Sequence, residues 1–231
     1  MDDLDLDDRA LASMIDLSCV QANHDEPEIA AMAEAARTYG VYAVFALPAH
    51  TGYLKGLIRG TGIKLGGTVG FPSGSVTTET KVGEVAQLRR IGVDELDMVV
   101  NITWLRSGRY DRVLDDVRAV VDAAAGLPVK LILEVTCLDE ERIRRGCEIG
   151  VEAGVEFVKS GTGWSGSPTT LDHIRIMADA VGGRCKLKAA GGVRDRETLL
   201  AMHRLGVTRF GIGTRTAKGI FSERAGGTDA Y

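Results

Sequence analysis

Eight short runs, each six to eight residues long and rich in apolar and β-branched residues, punctuate the chain. They are SMIDLSCV (13–20), YAVFAL (42–47), IKLGGTVG (63–70), ELDMVVN (95–101), PVKLILEV (128–135), VEFVKS (155–160), CKLKAA (185–190) and TRFGIG (208–213). Between them, apolar residues fall at helical spacing, as in EPEIAAMAEAARTYG (26–40) and TTETKVGEVAQLRRIG (77–92). Gly40, Gly92, Gly154 and Gly206 stand where a helix C-terminus calls for a residue tolerant of left-handed backbone. Strand, helix and glycine turn recur with a period of roughly 23 to 34 residues, the rhythm of βαβ units around a parallel sheet. A doubly wound open sheet shares that rhythm but uses fewer strands, so eight units predict a closed (β/α)8 TIM barrel. No linker or low-complexity stretch divides the sequence, which gives one domain over 1–221 and a flexible tail at 222–231.

Barrel chemistry gathers where strands run into the loops that follow them. Charges toward the strand ends are Asp16, Asp97, Glu134, Lys159 and Lys188; Lys130 and Lys186 fall nearer the strand starts and read as structural or solvent-facing. Any one buried charge fits a structural ion pair as well as a catalytic role. Two lysines at similar depth on adjacent strands are harder to explain structurally, because burying like charges together is destabilising unless one is neutral. A free lysine, with a pKa of about 10.4, is well under 1% neutral at pH 7. A neighbouring ammonium and partial desolvation lower that pKa and produce an amine nucleophile suited to Schiff-base chemistry. In that reading one lysine of the pair Lys159 and Lys188 is the nucleophile and the other the tuning cation, with Asp97 keeping the helper lysine charged and relaying protons through water. The paired glycines of KAAGGVRDRET (188–198) and GIGTRTAKG (211–219) each lead from a strand into a helix, the usual barrel phosphate site, and Arg194 adds charge there.

Composition narrows the partners. The 231 residues are 45% hydrophobic with a net charge of −4, and mean hydropathy is near zero. This describes an ordinary soluble globular protein. No basic cluster points to nucleic acid, no apolar stretch reaches the roughly 18 residues of a membrane span, and the acidic start MDDLDLDDRA is unlike a secretory signal. These features place the protein in the cytoplasm. Cys19, Cys137, Cys147 and Cys185 show no metal or disulfide spacing and read as reduced, buried, small apolar residues. Of His24, His50, His173 and His203, only His50, just after the second strand, is a site candidate.

Five segments together carry a resemblance: IDLS (15–18), VGFPSGSVTTETKVGEV (69–85), GVDELDMVVNI (92–102), FVKSGTGW (157–164) and KAAGGVR (188–194). The chain resembles the deoxyribose-phosphate aldolases, class I Schiff-base enzymes of the DeoC type, over about residues 13 to 221. The resemblance implies reversible cleavage of 2-deoxy-D-ribose 5-phosphate to acetaldehyde and D-glyceraldehyde 3-phosphate, with no metal or organic cofactor. It implies that Lys159 forms the Schiff base, Lys188 lowers its pKa, Asp97 serves the proton relay, and Asp16 walls the same pocket. Thr162, Gly191, Gly192, Arg194, Gly213 and Thr214 are then substrate-binding.

Three stretches depart from the family pattern. Ser160-Gly161-Thr162-Gly163 replaces Thr-Ser-Thr-Gly after the lysine, Gly213-Thr214 followed by Arg215 replaces a Ser-Ser pair, and Phe45 precedes Pro48 in place of smaller residues. They leave open a same-family lysine aldolase with another aldehyde acceptor or sugar. A phosphate-binding barrel isomerase or sugar-phosphate binder is the more distant alternative. The partners expected are small sugar phosphates and aldehydes, without nucleic acid or membrane, and a homo-oligomer is compatible with the sequence.

Overall fold

Asp25 shows how the chain starts its helices. Its carboxylate accepts the Glu28 N–H while Glu28 reaches back to the Asp25 N–H, closing a capping box at the head of Glu26–Tyr39. Gly40, in the left-handed region at φ 68°, ends that helix. The side chains of Thr77, Asp139 and Asp195 each accept one backbone N–H at the head of a later helix, and Gly92 and Gly154 close two of them. Each cap satisfies backbone N–H groups that the helix leaves without partners.

The structure, a computed structural model, describes residues 6–222. Its elements run α1 (Asp8–Ala12), β1 (Ile15–Cys19), α2 (Glu26–Tyr39), β2 (Ala43–Ala46), α3 (Pro48–Leu57) and β3 (Lys64–Val69). There follow α4 (Thr78–Ile91), β4 (Glu95–Val99), α5 (Ile102–Arg106), α6 (Tyr110–Ala124), β5 (Val129–Ile132) and α7 (Glu140–Ala153). The last six are β6 (Phe157–Lys159), α8 (Leu171–Val181), β7 (Lys186–Ala190), α9 (Arg196–Arg204), β8 (Val207–Ile212) and α10 (Thr214–Ser222). The strands pair in parallel, in sequence order, and β8 closes on β1. All eight expected strands are present, the first seven trimmed by one to four residues and the eighth shifted by one, and the fold is a (β/α)8 TIM barrel. The tail expected at 222–231 lies outside the described residues except for Ser222, which ends α10. Among the described residues no helix is long and apolar enough to cross a membrane.

Strand alternation divides the side chains into two cores. Leu17, Val44, Leu65, Leu96, Leu131, Val158, Leu187 and Phe210 face outward and pack with helix residues such as Met32, Leu88, Val117, Ile149 and Leu199. The inward set is largely charged: Asp16, Glu95, Asp97, Lys130, Lys159, Lys188 and Arg209 are all buried on the strands. Phe45 and Phe157 give this interior its apolar parts. Phe45 needs a neighbour without a side chain: a Cβ on Gly66, its register partner on β3, would stand 2.0 Å from the Phe45 ring.

The TTETK segment has a structural explanation outside the barrel lumen. Lys81, fully buried on α4, donates to Asp116 Oδ2 on α6 at 2.6 Å and to the Val99 carbonyl at 3.0 Å. Thr78 donates to the other Asp116 oxygen at 2.8 Å. Burial lowers the Lys81 pKa and Asp116 opposes it. Replacing Asp116 by Ala is expected to cost about 3–5 kcal/mol in denaturant unfolding, because it strands a buried ammonium. The double change Lys81→Met with Asp116→Leu is expected to recover most of that loss.

Candidate active site

Parallel pairing sets Lys159 on β6 directly beside Lys188 on β7. The two ammonium groups are brought to one atom: each donates to Asp97 Oδ2 at 2.7 Å. Lys130 donates to the other Asp97 oxygen at 3.2 Å and lies 2.7 Å from Glu95 Oε1. Lys188 also lies 2.6 Å from Asp16 Oδ2, an ion pair whose angle falls outside hydrogen-bond geometry. Arg209 completes the ring, donating to Asp16 Oδ1 at 3.0 Å and stacking its guanidinium 3.5 Å from the centre of the Tyr42 ring. Lys188 Nζ also stands 4.4 Å from the centre of the Phe45 ring, within cation–π range. Beside it the register between β7 and β8 shifts, between Leu187 and Lys188.

The consequences for protonation follow from burial and charge. Burial lowers the Lys159 pKa most; Asp97 opposes, Lys188 adds to the lowering, and the result is about 8. About a tenth of such an amine is neutral at pH 7, far more than of a free lysine. For Lys188, burial works against the charge, but Asp16, Asp97 and Glu95 outweigh it and hold the amine protonated more firmly than usual. Burial also opposes ionisation of Asp97, yet Lys130, Lys159 and Lys188 keep its carboxyl well below the ordinary range. The two lysines therefore part in the directions expected from sequence, although desolvation outranks the neighbouring ammonium as the cause.

Above this cluster a cavity of about 600 Å³ opens at the C-terminal end of the barrel. Asp16, Asp97, Lys159, Thr162, Lys188, Gly191, Gly192, Arg194, Gly213 and Thr214 all line it, so the residues expected to carry the lysine chemistry and to bind substrate reach one chamber. Phe45 and Arg215 line it as well. Trp164 packs behind two lining residues, its indole N–H donating to the Val20 carbonyl at 2.9 Å and its ring edge-on to Phe71.

Other expectations need correction. Glu134 lies beyond β5 in left-handed backbone at φ 57°, and its carboxylate accepts from the Thr162 N–H and hydroxyl. It braces the loop after Lys159 and does not line the cavity. Gly161 also faces that carboxylate: a Cβ there would stand 2.9 Å from Glu134 Oε1, so this departure from the family pattern is taken up within the wall. His24 lines the cavity, whereas His50, the expected candidate, sits on α3 and contributes nothing to the lining. Cys137 is exposed, not buried. Lys130 is entirely buried and paired, while Lys186 is exposed beside Glu156. Glu95, Arg209 and Thr68 were missed, although each lies two residues from, or in register with, a residue that was singled out. Strict alternation along ELDMV and TRFGI would have placed Glu95 with Asp97, and Arg209 with Gly211.

Since only neutral Lys159 is nucleophilic, kcat/KM for a carbonyl substrate is expected to rise with pH through about 8. Removing the adjacent cation with Lys188→Met takes away one cause of the lowered pKa. The rising limb should then move upward by about one pH unit, and an unmoved limb would deny Lys188 its tuning role.

Comparison with known proteins agrees with this site. A sequence model of the DeoC/LacD family aldolase matches residues 11–223. A deoxyribose-phosphate aldolase of Klebsiella pneumoniae subsp. pneumoniae is 47% identical over 215 residues, covering 92% of this chain and 86% of that protein. One from Rhizobium meliloti is 44% identical over 210 residues, covering 90% and 85%. Among solved structures, QR15, an aldolase, superposes with a TM-score of 0.87 at 32% identity, covering 96% of this chain and 97% of the other. The tetrameric deoxyribose phosphate aldolase of Aeropyrum pernix gives 0.86 at 25% identity, covering 94% and 92%. With the paired lysines, their shared aspartate and the glycine loops in one chamber, the chain belongs to the DeoC/LacD family of aldolases.

Proposed function

We propose that the chain is a lyase that reversibly cleaves 2-deoxy-D-ribose 5-phosphate to acetaldehyde and D-glyceraldehyde 3-phosphate through a Schiff base on Lys159. The observation that carries this reading is the Lys159–Asp97–Lys188 arrangement, in which one amine is biased toward neutrality and its neighbour toward charge. The names of the relatives agree with it. In the synthetic direction the Lys159 amine adds to the acetaldehyde carbonyl carbon, and loss of water gives a protonated imine. Transfer of a methyl proton to a water held by Asp97 leaves an enamine, whose carbon attacks the aldehyde carbon of glyceraldehyde 3-phosphate. The new alkoxide takes a proton from the same relay, and hydrolysis of the imine frees Lys159.

Geometry divides the remaining roles. Asp16 shares the Lys188 ammonium with Asp97 and so fixes the tuning charge. Gly191, Gly192 and Arg194 after β7, with Gly213, Thr214 and Arg215 after β8, offer backbone N–H groups and two guanidinium groups to the phosphate. Thr162 follows Lys159 in the wall and presents its loop to the sugar. The unit that does this is the single barrel domain, 1–221. A cytoplasmic location suits a phosphorylated metabolite, and assembly into a homo-oligomer is in keeping with the tetramer of the Aeropyrum relative.

Borohydride reduction in the presence of acetaldehyde is expected to leave one ethyl group on Lys159, located by peptide mass spectrometry. Labelling at another residue, or none, would overturn the assignment. Lys159→Met should lower turnover of 2-deoxyribose 5-phosphate by at least about a thousandfold while leaving the thermal midpoint close to the parent.

A further inference from the structure

Thr68 lies on β3, in register with Asp97 on β4, and its side chain lines the active-site cavity. The residue is 2% exposed, yet its hydroxyl has no hydrogen-bond partner. Three other buried polar atoms among the described residues share that lack, and each belongs to a group otherwise engaged: Asp16 Oδ2 and Glu95 Oε1 touch lysine ammonium groups, and Arg209 bonds through its terminal nitrogen. Thr68 is thus the buried hydroxyl left over inside the barrel. An unpaired buried polar group is unfavourable unless something arrives to satisfy it.

The substrate has one group in want of the same partner. At the base of the chamber Asp16, Asp97, Lys159 and Lys188 are bonded to one another, and they serve the imine and the oxygen of the reacting aldehyde. At the mouth, the loops after β7 and β8 face the phosphate. Between the two ends the acceptor carries a single further polar group, the hydroxyl on the carbon next to its aldehyde. Among the side chains lining the chamber, Phe45 is apolar, Ser18 donates to the Ile212 carbonyl at 3.4 Å and Thr162 donates its hydroxyl to Glu134, whereas the Thr68 hydroxyl, in register with Asp97, has no partner. We infer that Thr68 determines acceptor specificity, its hydroxyl bonding the α-hydroxyl of the acceptor aldehyde. This rests on the aldolase reading above and extends it to the part of the substrate that does not react.

A site built to bond a substrate hydroxyl discriminates against the analogue lacking it, because the protein partner is then left unpaired. The test compares D-glyceraldehyde 3-phosphate with 3-oxopropyl phosphate, which lacks the α-hydroxyl, as acceptors for acetaldehyde in the parent, Thr68→Val and Thr68→Ser proteins. The parent is expected to favour glyceraldehyde 3-phosphate in kcat/KM by at least about tenfold. Thr68→Val, which keeps the shape and removes the hydroxyl, should abolish most of that preference by lowering the glyceraldehyde 3-phosphate value alone, and Thr68→Ser should retain it. An equal fall with both acceptors, or no change with either, would overturn the assignment, as would a parent without the preference. Borohydride trapping of acetaldehyde in all three proteins keeps the two readings apart: trapping throughout with no acceptor effect removes the role of Thr68 alone, whereas no trapping in the parent removes the aldolase reading and this inference with it.

Discussion

A closed barrel that buries charge must come close to balancing it, and here the strands enclose Asp16, Glu95 and Asp97 against Lys130, Lys159, Lys188 and Arg209. Fully ionised, the set carries one cation too many in a space largely shielded from water. Arg209 cannot give up a proton at ordinary pH. Lys130 is held between Glu95 and Asp97, and Lys188 between Asp16 and Asp97. Lys159 has Asp97 as its one carboxylate contact and, at 7% exposed against 1% for Lys188, is the more open of the two lysines that line the cavity. Excess charge is therefore relieved most readily at the amine that meets the substrate.

Much of the surrounding structure serves to hold that set in place. Gly66 leaves room for the Phe45 ring, which lies against Lys188 and Lys130 and keeps water from that side of the cluster. The buried Lys81–Asp116 pair ties α4 to α6 and, through the Val99 carbonyl, anchors the end of the strand that carries Asp97. Glu134 grips the Thr162 segment immediately after Lys159. A stretch such as TTETK thus contributes to the site without entering it, by fixing the strand on which an active carboxylate rides.

The fold was legible because its rhythm is written redundantly: eight apolar runs, helical spacing between them, and a glycine after several helices. The pair Lys159 and Lys188 was legible because lysine is conspicuous in an apolar strand. Glu95 and Arg209 lay near strand starts, where solvent exposure is the ordinary expectation, and only barrel closure buries them. Thr68 was hidden for a different reason. Threonine is common in strands, and its lack of a partner is a property of three-dimensional surroundings, not of the sequence. Glu134 misled because its position one residue after Leu133 suggests a strand end, whereas the backbone turns left-handed there and sends the carboxylate into the next loop.

The shared oxygen of Asp97 also has a bearing on the steps after the amine has reacted. Along the proposed pathway the lysine nitrogen reacts as the neutral amine, becomes cationic in the imine, and is neutral again in the enamine. Each time the nitrogen becomes positive it restores the surplus cation beside Lys188, and each time electrons flow onto it the surplus vanishes. The arrangement that helps to free the nucleophile thus also makes its adduct a stronger electron sink, so one electrostatic imbalance favours both the start of the reaction and the carbon–carbon chemistry that follows.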